Sequence, residues 1–132
     1  MKQTISVNSR SRTEFIDITA EVQEALGKSG AKYGACLIFV PHTTAGITIN
    51  EGADPSVKRD MLRSLDRLIP LDGDYKHAEG NSAAHIKTAL VGTSVTCIVE
   101  DGRAVLGTWQ SIFFCEFDGP RNRKVHLKYF PG

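Results

Sequence analysis

Gly34-Ala35-Cys36-Leu37-Ile38-Phe39-Val40-Pro41-His42-Thr43-Thr44-Ala45-Gly46-Ile47-Thr48-Ile49-Asn50 is the stretch on which the fold turns. Its first seven residues are continuously apolar and rich in strand formers, a pattern that suits a strand buried on both faces. Pro41 has no N–H to give a ladder and ends the run. His42 to Gly46 forms a polar turn, and Ile47-Thr48-Ile49-Asn50 resumes with the period of two that marks a half-buried strand. The stretch therefore reads as two strands joined by a histidine-bearing turn.

Upstream, Ile5 and Val7 alternate with Thr4 and Ser6, Ser9 to Arg12 is a polar turn, and Glu14 to Asp17 returns as a strand. Thr19 is placed to cap a helix with Ile18, Val22, Ala25 and Leu26 on one side. Downstream, Asp54-Pro55 pairs an N-cap acid with proline at the first helical position. Val57, Met61, Leu62, Leu65 and Leu68 make the apolar stripe of that helix, and Pro70 stops it. Leu71 to Gly80 is a loop of about ten residues, against a usual 4–6 or so. Asn81 is placed to cap a third helix over Ser82 to Val91, with Gly92 to close it.

The remainder reads as β. Val95 to Val99 leads through the hairpin turn Asp101-Gly102 into Ala104-Val105-Leu106, then come Ile112 to Phe117 and a last strand alternating at Val125, Leu127 and Tyr129. The order predicts an α+β domain over residues 1–132, with a curled mixed or antiparallel sheet of about seven or eight strands and about three helices. So few helices cannot cover such a sheet on both faces. It must curl on itself or bury one face against other subunits.

At 132 residues, 41% apolar, 23% charged and net charge +1, the chain gives no reason to expect a nucleic acid or a membrane surface as partner. No apolar run approaches the roughly 20 residues that span a bilayer, and a cytoplasmic location is expected. Cys36, Cys97 and Cys115 lie in apolar runs without a CxxC spacing. They read as buried thiols in a reducing compartment, not as disulfides or thiolate ligands.

Chemistry gathers in the turn after Val40 and in His77-Ala78-Glu79-Gly80-Asn81-Ser82-Ala83-Ala84-His85. His42, His77 and His85 suit a three-imidazole metal site with a position left open for water or substrate. No HxH or HExxH unit is present, so these ligands converge only through folding; the alternative is that they cap, hydrogen-bond or lie in water. Glu51, Asp54, Glu79 and Glu116 are the neighbouring carboxylates, one of which beside a metal-bound water serves as general base. Asp54 competes as a helix cap, and Glu79 as a solvated loop residue. Arg121 and Arg123, with Lys124 and no acid from residue 119 onward, suit phosphate or carboxylate recognition, or else form a solvated basic edge. Thr43, Thr44, Ser82 and the Asn81 position at the start of the third helix add anion contacts. Trp109, in Gly107-Thr108-Trp109-Gln110, is read as sheet packing.

Taken together, Pro41-His42-Thr43-Thr44-Ala45-Gly46, Asn50-Glu51, the Tyr75 to His85 stretch, Leu106-Gly107-Thr108-Trp109-Gln110 and Glu116-Phe117-Asp118-Gly119-Pro120-Arg121 strongly resemble the YjbQ-like family of small bacterial and archaeal proteins. The resemblance runs from about Leu37 to Arg123 and leaves the N-terminal third unsupported. It implies an α+β fold assembled as a homotrimer, with polar residues near subunit boundaries. It also implies a divalent metal at His42, His77 and His85: zinc by the ligand chemistry, or magnesium if diphosphate is transferred.

Members are often labelled secondary thiamine-phosphate synthases. That label implies a small metal-associated trimeric enzyme acting on a phosphorylated or anionic small molecule. Glu79 or Glu51 would then handle protons, Arg121 and Arg123 would grip the anion, and Thr43, Thr44 and Asn81 would add contacts. The reaction joins a pyrimidine-methyl diphosphate to a thiazole phosphate and expels diphosphate. A chain of this length cannot build the (β/α)8 barrel of the dedicated enzyme, typically about 250 residues, so such activity would be convergent. The alternative is a non-catalytic trimeric ligand-binding or scaffold protein.

Overall fold

A computed structural model describes residues 2–132. The element order is β1 (Lys2–Asn8), β2 (Glu14–Asp17), α1 (Thr19–Lys28), β3 (Gly34–Phe39), β4 (Ala45–Glu51), α2 (Pro55–Leu68), α3 (Ser82–Val91), β5 (Ser94–Glu100), β6 (Arg103–Ala104), β7 (Gln110–Glu116) and β8 (Asn122–Pro131). This is the α+β order expected from the sequence. The strands divide into a five-stranded sheet, β1-β8-β3-β5-β6, and a three-stranded sheet, β2-β7-β4. Every pairing is antiparallel among the described residues.

The main core lies between the two sheets and α1. Cys36 and Ile38 of β3, Val125 and Leu127 of β8, and Cys97 and Val99 of β5 meet Ile47, Ile112 and Phe114, with Val22 and Leu26 closing one side. On the far face of the small sheet, Phe15, Phe113, Cys115 and Phe117 pack against Met61, Leu62 and Leu65 of α2 and Ala84 of α3. The strand buried on both faces is therefore β7, where Ile112 through Glu116 are all buried. β3 was expected to hold that position. Its Cys36 and Ile38 are buried, but Leu37 is only half-buried and Phe39 is 41% exposed. Among the described residues no helix covers the outer face of the large sheet, so an apolar run alone did not secure burial on two sides.

Helix starts differ in how they are closed. Asp54 caps α2, its Oδ1 accepting from Ser56 N–H at 2.9 Å and Ser56 Oγ at 2.7 Å, with Pro55 at the first helical position. Thr19 does not cap α1; it is the first helical residue, and its N–H donates to Asp17 Oδ1 at 2.9 Å. Its hydroxyl accepts from Ile112 N–H at 2.8 Å, tying the helix to β7. The Asn81 side chain does not cap α3 either, because it is engaged with Asp118. The stripe of α2 is only partly covered, and Leu68 is 72% exposed.

Two local features fix the geometry around the site. The end of β3 and the start of β4 are both pinned to the α3–β5 joint: Val40 N–H donates to Thr93 O at 2.7 Å, and Ile47 N–H donates to Gly92 O at 3.0 Å. A Cβ on Gly46 would stand 2.5 Å from Gly92 O, so the close crossing requires glycine there. At the β5–β6 turn, Asp101 and Gly102 have φ of 51° and 77°, the positive pair a two-residue hairpin of primed type demands. Trp109 does not pack in a sheet as expected; it lies in the turn before β7, 64% exposed, with its carbonyl accepting from Gly52 N–H.

Candidate functional site

The His42–Thr44 turn, the His77–His85 stretch and the start of β8 meet around one cavity of ≈ 840 Å³. His42, Thr43, Thr44, His77, Glu79, Asn81, His85, Arg121 and Arg123 all line it, and Glu79 is the sole carboxylate on its described wall. Segments far apart in sequence are thus collected around one cavity.

Behind this wall lies a buried polar hub. Glu116 is 0% exposed and Arg123 5% exposed. Arg123 Nε donates to Glu116 Oε1 at 2.9 Å, and Nη2 donates to Glu116 Oε2 and to Thr44 Oγ1, the latter at 2.9 Å. Glu116 accepts further bonds from Ser9 Oγ at 2.7 Å and from Asp118 N–H at 3.0 Å. Burial by itself would raise the Glu116 carboxyl, but the donors from Arg123, Ser9 and Asp118 outweigh it and hold it below the ordinary glutamate value. Arg123, expected to help grip an anion, is engaged behind the wall. Its charge is already paired, and only the Nη1 end is left over by the hydrogen bonds it makes.

Asp118 organises the exposed rim. Arg121 donates from Nε to Asp118 O at 2.8 Å and from Nη2 to Asp118 Oδ2 at 3.1 Å. Asn81 Nδ2 donates to the same Oδ2 at 2.9 Å, and Arg12 lies 3.7 Å from Oδ1. A carboxylate cannot donate, so the Asn81 amide is fixed with Nδ2 toward Asp118, and its buried Oδ1 is left without a partner among the described residues. The sequence assigns no role to Asp118 beyond its place in the Glu116 to Arg121 motif, or to Ser9 beyond a polar turn, although both hold this wall together. A short polar residue in a turn looks the same whether or not it has a distant partner.

His42 accepts from Lys124 N–H through Nε2 at 3.0 Å. Burial, and then the nearby Arg123 charge, lower its basicity. Neutral imidazole with Nε2 accepting carries its proton on Nδ1. In this arrangement His42 offers an N–H donor, not a lone pair for a metal. His77 and His85 stand edge to face, ring centroids 5.5 Å apart. Among the described residues no three His, Cys, Asp or Glu side chains are grouped closely enough to hold a metal ion. The imidazoles do share one cavity, but within one chain their donor set does not make the three-ligand centre.

Glu51 is not at this site. It lies at the far end of β4, paired with Gln110, and its carboxylate accepts from Ala53 N–H at 2.9 Å. The strand that begins just after Thr44 on the cavity wall carries Glu51 away from it at about 3.3 Å per residue. The cysteines are free and buried as expected, and burial pushes the Cys36 thiol up to about 12. No helix among the described residues is long and apolar enough to cross a membrane.

Comparisons with known proteins agree with this architecture. The family model described as UPF0047 protein YjbQ-like matches residues 3–132. The UPF0047 protein YugU of Bacillus subtilis is 54% identical over 129 residues, covering 97% of this chain and 98% of that one. A UPF0047 protein of Methanocaldococcus jannaschii is 54% identical over 122 residues, covering 92% and 88%. The crystal structure of an uncharacterized conserved protein of the YjbQ/UPF0047 family from Clostridium acetobutylicum superposes with a TM-score of 0.94 at 54% identity, covering 97% of this chain and 99% of that one. A hypothetical protein from Aeropyrum pernix superposes with a TM-score of 0.95 at 36% identity, covering 100% and 99%. The chain belongs to the YjbQ-like UPF0047 family.

Proposed function

We propose that the cavity binds a small phosphorylated or otherwise anionic molecule. The observation that carries this reading is the convergence of donors on one wall: Arg121, the Nη1 end of Arg123, the Nδ1–H of His42 and the Thr43 and Thr44 hydroxyls, against the single carboxylate of Glu79. Arg121, exposed at the rim although bonded to Asp118, supplies the accessible charge. Arg123, locked by Glu116, supplies a rigid donor whose ordering cost is met in folding. Glu79 is the group placed to take or give a proton if the bound molecule reacts. Isothermal titration of inorganic phosphate and diphosphate into wild type and Arg121→Ala tests the reading. Binding weakened about tenfold by loss of one charge-assisted contact is expected, and no heat from wild type at millimolar anion overturns it.

The enzymatic version, thiamine-phosphate synthase activity on a pyrimidine-methyl diphosphate and a thiazole phosphate, adds turnover to the same anion site. It predicts diphosphate release that Glu79→Gln and Arg121→Ala abolish; binding without turnover leaves a ligand-binding protein. A divalent ion, zinc by ligand chemistry, is proposed at His77 and His85, which line the same cavity, with a third ligand from elsewhere. Elemental analysis of folded wild type beside His85→Ala tests that ion independently of activity. Self-association as a homotrimer is proposed through the uncovered outer face of the large sheet, where Phe39, Ile98, Val105 and Phe130 are 41–63% exposed. Light scattering on wild type and Ile98→Glu tests it.

A further inference from the structure

Residues 71–80 bring His77 and Glu79 to the cavity, yet this loop holds chiefly to itself. Tyr75 Oη donates to Pro70 O at 2.6 Å, Tyr75 N–H to Gly73 O at 3.0 Å and Gly80 N–H to His77 O at 3.3 Å. A Cβ on Gly73 would stand 2.5 Å from the Tyr75 ring, so the ring rests on the glycine backbone. Among the described residues, no hydrogen bond or ion pair joins residues 71–80 to anything beyond Pro70. The side chains are exposed apart from a half-buried Tyr75. A loop tied to itself more than to the body opens as one piece at small cost.

The flanks of the loop, in contrast, are anchored. Ile69 is buried and its N–H donates to Leu65 O at 2.9 Å; Asn81 is buried and bonded to Asp118. Gly80, beside the second anchor, has φ of 76° and open space where a Cβ would lie, so the chain bends there unhindered. Voids lie on both sides of His77. One is the basic cavity; the other is a groove of ≈ 600 Å³ between Asp74, Tyr75 and Lys76 of the loop and Ser82 and Ile86 of α3. The loop meets α3 at the His77–His85 ring contact, which carries no hydrogen bond, and has room to swing.

We propose that residues 71–80 form a lid that closes over an anion bound in the cavity, swinging between Ile69 and Asn81 so that the His77 ring donates to it. The opposite wall does not follow, because Glu116 and Asp118 fix Arg123, Thr44 and Arg121, and a Lys124 amide fixes His42. The ligand then bridges a fixed wall and a loose one. The closed form gains a His77 contact that the open form lacks, and a ligand shifts an equilibrium only by such a difference. Closure also brings Glu79 against the bound molecule and sheds water from it. This rests on the anion reading of the cavity and gives that cavity a moving side.

The test is trypsin cleavage of the native full chain after Lys76, an exposed lysine within the loop, with and without inorganic phosphate. Calorimetry reads phosphate binding separately. If trypsin cuts the open loop alone, phosphate at about ten times its Kd slows this cleavage about tenfold. Arg121→Ala, with a site about tenfold weaker, is slowed about twofold at the same concentration. His77→Ala still binds phosphate, but at about ten times its own Kd its cleavage keeps its rate. Circular dichroism checks that both variants are folded. If phosphate binds and cleavage after Lys76 is unchanged, or slows as much in His77→Ala, the lid is overturned and the anion site stands. If the free protein is not cut after Lys76, the loop is firmly held and the lid is likewise overturned. If phosphate gives no heat with wild type, the anion reading fails and the lid fails with it.

Discussion

Replacing Glu116 by glutamine tests whether the wall of the cavity depends on a buried charge pair. Glu116 is 0% exposed and accepts four hydrogen bonds, two on each oxygen: Ser9 Oγ and Arg123 Nε on Oε1, Arg123 Nη2 and Asp118 N–H on Oε2. Glutamine keeps one acceptor and turns the other into a donor that faces two donors. Losing two bonds to an ionised carboxylate costs about 3–6 kcal/mol. Leaving a buried guanidinium without its counter-charge costs about 3–5 kcal/mol, and the two estimates describe the same loss from different ends.

For a chain of this size Glu116→Gln should therefore lower the melting temperature by about 10–15 °C. It should also shift the urea midpoint, read at fixed protein concentration at pH 7. The pH dependence sharpens the test. Because the folded carboxyl titrates below the ordinary glutamate value of 4.5, its contribution is complete above that pH and is lost as pH falls through the lower folded value. The gap between wild type and Glu116→Gln should narrow in that acid window. Arg123→Met strands the carboxylate instead, and combining it with Glu116→Gln should cost well under the sum of the singles. A loss below about 1 kcal/mol, or additive singles, would refute a pair that works as one unit.

Three more outcomes follow from the same geometry. Gly46→Ala should destabilise by about 1–3 kcal/mol, as overpacked sites do, because its Cβ meets the Gly92 carbonyl at 2.5 Å; chemical denaturation measures this. His42 should titrate below 6.5 by NMR and carry its proton on Nδ1 at neutral pH, its stabilising effect being lost as pH falls through that lowered value. A midpoint at or above 6.5 contradicts the burial and the neighbouring Arg123 charge that lower it. The Cys36, Cys97 and Cys115 thiols should resist a disulfide reagent at pH 8 in the native state and all react in denaturant, since burial raises each of them.

The order of elements was legible because each carries its own local signal. The period-2 alternation of β1 and β8, the Asp54-Pro55 start of α2, the Gly92 stop of α3 and the Asp101-Gly102 turn depend on neighbours within a few residues. The two histidine-bearing segments and the Arg121–Arg123 edge were legible as a candidate site for the same reason: unusual side chains in small-residue surroundings. What failed were inferences about which particular partner a side chain meets. Thr19 and Asn81 have the right chemistry for caps, but a β7 amide and the Asp118 carboxylate claim their side chains. Glu51 stands next to a site segment in sequence and at the opposite end of a strand in space.

By itself, then, the chain of residues determined an α+β fold and named most of the groups around one polar cavity, since propensity, capping and turn chemistry act over a few positions. Tertiary structure alone decided that β7 is the doubly buried strand while β3 shows one face, because burial depends on what packs from outside the strand. It alone decided the state of the site as well. Arg123 is spent on Glu116, His42 is turned into a donor by a backbone amide eighty-two residues away, and His77 and His85 are set between two grooves. Hydrogen bonds and ion pairs of that span form only when the chain closes on itself, and no local pattern encodes which of several equivalent partners will be met.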